Sequence, residues 1–269
     1  MPHAQASPII SSGRLRRLAQ GRGFLATVSA TSEVIERLLA DLGRARARTP
    51  RNGRPFVTLA YAQSVDGSIA LEAGRPFALS GPEAMRLTHA LRAAHDGILI
   101  GIGTLLSDDP RLTVRLVEGR SPQPVVVDSK LRTPPGARLF NGGSRRPAWI
   151  ATTDGADEGR RAGLEARGAQ VLRIPSWANG WVDLPALMER LASQGIGHLM
   201  VEGGARIITS FLRARLVDYA VVTVTPRFLG GMPALTATER GGLPRLQTWA
   251  SDRVGDDLVL SGELHWTAE

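Results

Sequence analysis

From Phe56 to His265 the chain alternates short apolar runs with helical ones, and few folds accommodate that pattern. The runs Phe56–Ala62, Gly97–Gly101, Pro124–Asp128, Ala148–Thr152, Ala169–Ile174, His198–Val201, Tyr219–Thr225 and Asp257–His265 read as strands. Between several of them lie helical patterns. Pro82 opens Glu83–Ala94, with Ala84, Leu87, Leu91 and Ala94 on one stripe. A polar helix covers about Ala156–Arg167. Asp183 caps another that runs through Leu187, Met188 and Leu191 to Gly195, and Ala205–Arg213 forms the last. A helix between two strands allows the strands to lie parallel. The expected class is therefore α/β, a mostly parallel central sheet with helices on both faces. The last two strands have no helix between them, which predicts an antiparallel edge.

Residues 1–53 differ from this body and are set apart as an N-terminal extension, with the main domain at 54–269. Ser7–Gly23 is rich in Ser, Arg and Gly and reads as loose or loop-like. Thr31-Ser32 then caps a helical series, Val34, Ile35, Leu38, Leu39 and Leu42, with Gly43 and Arg44–Arg48 at its C-terminal end. Thr49–Gly53 reads as a linker.

Composition removes several chemistries. Cysteine is absent from all 269 residues, which excludes a disulfide scaffold, a thiolate metal site and a Cys nucleophile. The five histidines, His3, His89, His95, His198 and His265, show no metal-ligand spacing and read as surface or packing residues, so no metal is expected. There is no nucleophile elbow and no P-loop. No apolar run is long enough to cross a bilayer and no secretory signal is seen, so a cytoplasmic protein without membrane contact is expected. Basic residues exceed acidic ones by 33 to 25, nearly all as arginine, Lys130 being the one lysine. The arginines are scattered and aromatics make up 5%, which leaves nucleic-acid binding a minor alternative.

The strongest local signal is Leu199–Ala205, a buried strand that ends in Glu202, turns on Gly203-Gly204 and enters a helix. Such a turn suits an anion, because helix N-termini offer free N–H groups and a positive pole. A plain strand–turn–helix connection explains it equally well. Gly101-Ile102-Gly103-Thr104 also follows a strand, and tight packing accounts for it as readily as ligand contact does. Asp108-Asp109 before Pro110 read as turn and cap residues. Asp66-Gly67 reads as a hairpin or tight turn.

The order of these features is more specific than any one of them. Arg54–Leu59, Ser64–Gly67, Leu91-Arg92-Ala93, Asp96–Ile100, Gly103-Thr104, Asp108–Arg115, Val127-Asp128-Ser129, Val201–Gly204, Leu216–Asp218 and Pro226–Gly231 follow one another in sequence. Together they closely resemble the reductase domain of the bacterial riboflavin-biosynthesis deaminase–reductase, over about residues 54–265. The zinc deaminase half of that enzyme needs cysteines, so the chain looks like a stand-alone reductase.

The resemblance implies a dihydrofolate-reductase-like fold, NADPH as cofactor and a phosphorylated ribosylaminopyrimidine as substrate. Hydride would add to C1′ of the opened imine form. Carried over by position, Ala62, Thr104, Asp108, Ser129, Gly203, Gly204, Ala205, Arg206 and Ile207 would contact the cofactor. Arg92, Leu112, Arg115 and Glu202 would contact the substrate, the two arginines gripping its phosphate. Asp108 and Glu202 would be the catalytic carboxylates, and Ser129 with Arg132 the partners of a 2′-phosphate. A homodimer is the implied assembly. Two positions depart from the pattern. Ala60 stands where the family usually has a Lys on the first strand, and Pro76 stands near an expected polar residue. They keep open a related reductase acting on a pterin, a folate or another heterocycle.

Overall fold

The computed structural model describes residues 31–50, 52–72, 74–141, 146–236 and 244–266. The loose Ser7–Gly23 segment expected from composition lies outside them. A helix spans residues 31–48 (α1). It is followed by β1 (Phe56–Ser64), β2 (Ser68–Ala70), α2 (Pro82–Ala93), β3 (Gly97–Gly101), α3 (Ile102–Asp108), β4 (Gln123–Val127) and α4 (Arg138–Asn141). Then come β5 (Trp149–Thr153), α5 (Glu158–Glu165), β6 (Gln170–Ile174), α6 (Leu184–Ser193), β7 (His198–Glu202), α7 (Ala205–Arg213), β8 (Tyr219–Thr225), β9 (Met232–Pro233), β10 (Pro244–Val254) and β11 (Asp257–Trp266).

Nine strands form one sheet in the order β10-β11-β8-β1-β7-β3-β4-β5-β6. From β8 to β6 every neighbour is parallel, while β11 runs antiparallel to both β8 and β10. The expected parallel body with an antiparallel edge is present, and helices cover both faces.

Alternation along the strands divides the core. Leu99, Val125, Ala151 and Val201 face α6 and α7, packing on Leu187, Met188, Leu191, Ile207, Ile208 and Phe211. The intervening residues Ile98, Ile100, Val126 and Ile150 face the other side, under Leu105 of α3 and Leu164 of α5. On that same side Met200, Ala60, Tyr219 and Val221 meet α2 and the α1 stripe of Val34, Leu38, Leu42 and Ala45. The helix expected from the first spacing is thus packed on the sheet and runs through Gly43 to residue 48.

The structure differs from the sequence reading in several places. Of the two readings of Asp66-Gly67, the tight turn is present, closed by Gly67 N donating to Ser64 O at 2.9 Å, but it makes no hairpin, because β2 pairs with β9 in a separate two-stranded sheet. α3 was not anticipated, since it is short and contains a glycine. Neither was β10, an edge strand whose burial is broken and whose ladder carries a bulge between Gln247 and Ala250. The polar helix is shorter than its pattern. Asp157 starts it by accepting from Arg160 N at 2.7 Å.

Leu38 is buried between α1 and the sheet. Leu38→Ala is expected to lower the unfolding free energy by about 2–5 kcal/mol, measured by urea denaturation. A loss under 1 kcal/mol would show that α1 adds nothing to the body.

Candidate functional site

Parallel strands all end at one edge of the sheet, the edge at which open α/β sheets bind ligands. At its middle lie β3 and β7, paired through Gly97↔Leu199, Ile98↔Met200 and Leu99↔Val201. Each runs directly into a helix, β3 into α3 and β7 into α7 through Gly203-Gly204. Gly204 N donates to Thr104 Oγ1 at 3.1 Å, so the first turn of α3 touches the start of α7. Two positive helix ends therefore stand side by side.

The glycines at this junction divide into two kinds. A Cβ on Gly101 would come within 2.5 Å of Ile207 Cγ1, and one on Gly203 within 2.9 Å of Ile207 Cγ2. Both are glycines because Ile207 is seated over them. A Cβ on Gly103 would meet no atom within 4 Å, so the backbone of α3 is open on that side. Of the two alternatives that the sequence left for Gly-x-Gly, packing accounts for Gly101, and Gly103 is not explained by packing.

Around this junction stand the other residues assigned to the cofactor. Ala62 is half-buried on β1 opposite Thr223. Asp108 is exposed at the end of α3 and accepts from Ser107 Oγ at 2.8 Å. Ser129, just past β4, accepts from Val182 N at 3.1 Å and still has a hydroxyl proton to donate. Beneath it, buried Asp128 accepts from Thr133 N and Oγ1 at 2.7 and 2.8 Å. Arg206 is exposed, with its guanidinium 4.9 Å from the centre of the Trp181 ring. Trp181 is distant in sequence and carried no signal there.

A second group lies where α2 meets β7. Arg92 is buried, and it donates from Nε and Nη2 to the two Glu202 oxygens, each at 2.7 Å, and from Nη1 to Thr113 O at 3.2 Å. Burial alone would lower its pKa, but the Glu202 charge and hydrogen bonds outweigh that and raise it. Arg92 is thus a fork holding a carboxylate in place, with Glu202 left partly exposed. Arg115 is exposed nearby. Burial and the cations Arg92, Arg111 and Arg138 lower its pKa. Leu112 has a left-handed φ of 55° and is buried in the core, 2% exposed as a whole residue, so its side chain packs inward and does not reach the surface of the site. Ala60 is the register partner of Glu202 and packs among Leu87, Leu91 and Met200. The amine expected there would have stood beside Glu202.

Asp66 is a fastener. Its oxygens accept from Ser64 Oγ, Ser68 Oγ, Leu229 N and Gly230 N, which pulls the carboxyl far below the usual range. The β1–β2 turn is thereby tied to the loop after β8. Among the described residues no cluster of three or more His, Asp or Glu could hold a metal, and no helix is long and apolar enough to cross a membrane.

The family model of the RibD C-terminal domain matches residues 55–260. The chain belongs to that family. It is 39% identical over 216 residues to the 2,5-diamino-6-ribosylamino-4(3H)-pyrimidinone 5′-phosphate reductase of Methanothermobacter thermautotrophicus, covering 77% of this chain and 97% of that protein. It is 31% identical to the riboflavin biosynthesis protein RibD of Bacillus amyloliquefaciens, over 91% of this chain and 68% of the relative. Among solved structures, the riboflavin biosynthesis reductase Rib7 of Saccharomyces cerevisiae superposes with a TM-score of 0.66 at 30% identity. That match spans 81% of this chain and 94% of the yeast chain.

Arg92→Ala would leave Glu202 without its partner in a largely buried place. A loss of about 3 kcal/mol in urea unfolding is expected. A change within 0.5 kcal/mol would mean that water replaces the guanidinium freely.

Proposed function

We propose that the protein is an NADPH-dependent reductase converting a ribosylaminopyrimidinone 5′-phosphate to its ribitylamino form. The observation that carries this reading is the Thr104–Gly204 contact, which sets two helix starts beside the open flank of Gly103. The reading puts the cofactor's diphosphate there. Its charge meets two positive poles, and no side chain fills the space over Gly103.

When bound, the cofactor supplies a hydride to C1′ of the opened imine, and the imine nitrogen takes up a proton. The chain binds and orients. Gly203, Gly204, Ala205 and Arg206 would hold the diphosphate, with Ile207 supporting the turn from beneath. Thr104, Asp108 and Ala62 would bind the cofactor beside them. Ser129 and Arg132 would hold its adenosine end and 2′-phosphate. Glu202, fixed by Arg92, accepts hydrogen bonds from the substrate. Arg115, in its crowd of cations, holds the substrate phosphate, so Arg92 acts on the substrate through Glu202. Asp108 and Glu202 are the carboxylates at hand for proton transfer. A second copy covers β10, one of the two free edges of the large sheet, where Trp249 is 59% exposed. Trp249→Arg is then expected to shift a sedimenting dimer toward monomer, and an unchanged profile would remove Trp249 from any interface.

Steady-state kinetics test the reaction. Arg115→Ala is expected to raise KM for the phosphorylated pyrimidine at least tenfold and to leave KM for NADPH unchanged. Turnover of a pterin without turnover of the pyrimidine would overturn the substrate assignment.

A further inference from the structure

The segment after α3 has no regular secondary structure, yet it carries Arg115. Its backbone groups must find partners elsewhere. Four of them in succession do so in side chains. Thr113 O accepts from Arg92 Nη1 at 3.2 Å, and Val114 N donates to Ser121 Oγ at 3.1 Å. Arg115 N donates to His89 Nδ1 at 3.0 Å, and Leu116 O accepts from Arg86 Nη1 at 3.4 Å. Arg86, His89 and Arg92 stand three residues apart on α2 and climb one side of it. The helix is a template against which the irregular segment is laid.

His89 is the one acceptor among these three rungs. Two arginines can satisfy only carbonyls, so on α2 the imidazole is the group that fixes where an N–H must fall, that of Arg115, while Ser121 Oγ takes that of Val114. It is fully buried, and Nε2 has no hydrogen-bond partner. Nδ1 accepts, so the ring proton sits on Nε2 and the ring is neutral. Burial, with the Arg92 and Arg115 charges behind it, lowers its pKa to about 4 and keeps Nδ1 an acceptor near neutral pH.

We propose that His89 is a positioning residue for Arg115. Its buried Nδ1 fixes the Arg115 amide, and with it the point from which the guanidinium reaches the substrate phosphate. The inference rests on the reading of Arg115 as the phosphate-holding side chain. His89 touches no substrate itself.

Two variants and two readouts test it. His89→Leu removes the acceptor, whereas His89→Asn can present an amide oxygen near the place of Nδ1. Amide hydrogen exchange at Arg115, measured without any ligand, is expected to be at least tenfold faster in His89→Leu and to stay near wild type in His89→Asn. KM for the ribosylaminopyrimidinone 5′-phosphate is expected to rise about tenfold in His89→Leu. KM for its dephosphorylated counterpart, KM for NADPH and kcat should stay within twofold, with His89→Asn restoring the phosphate preference. If His89→Leu does not fold, His89→Gln, which carries its acceptor one bond further out, takes its place in both measurements. The proposal is overturned if exchange at Arg115 is unchanged, or if KM rises equally for the phosphorylated and dephosphorylated forms. Should the wild-type protein turn over neither pyrimidine while exchange responds as expected, the substrate reading fails and the template stands.

Discussion

The site depends on two glycines that let one isoleucine sit where two strands end. Ile207 fills the space over Gly101 and Gly203, and so α7 lies close against β3. That closeness brings Gly204 within reach of the Thr104 hydroxyl and sets two helix starts at a common point. Remove the hollow and the helices part. The sheet would survive, but the paired positive ends would no longer share one neighbourhood. Packing on the buried side of the turn thus decides the electrostatics on its open side.

The second group obeys a different physical rule. Glu202 extends β7 into a largely buried place where a lone carboxylate would be costly. Arg92 answers it with two matched hydrogen bonds and uses a third to hold Thr113 O. One guanidinium thereby couples a strand end to an irregular segment. The substitution at Ala60 fits this arrangement. An alanine there adds to the apolar cluster under α2, and Glu202 keeps a bidentate partner without help from β1.

Much of the fold was legible because apolar periodicity reports burial, and burial makes the sheet. β3, α7 and β8 lie where their patterns place them, β3 as a continuously buried run and α7 with a buried face. β10 escaped notice because an edge strand has only one pairing side and an uneven inner face. The residues that touch the ends of β3 and β7 were legible as an ordered set of short motifs. His89, Thr113 and Trp181 were not. Their partners are backbone atoms or side chains far along the chain, and a histidine that serves a loop amide looks in sequence like any other on an apolar helix. The function of Arg92 was half legible. Its position was marked, but that its guanidinium is taken up by Glu202 depends on how α2 lies over β7.

The stretch that matches the family begins at residue 55, whereas the core begins earlier. α1 roofs Leu87, Leu91, Tyr219 and Val221 with its own leucines, so a shortened protein cut to the family boundary would present that floor to water. Such a fragment would keep every residue named at the strand ends and still tend to clump in solution. For this chain, the limits of the family model and the limits of the packed core fall in different places.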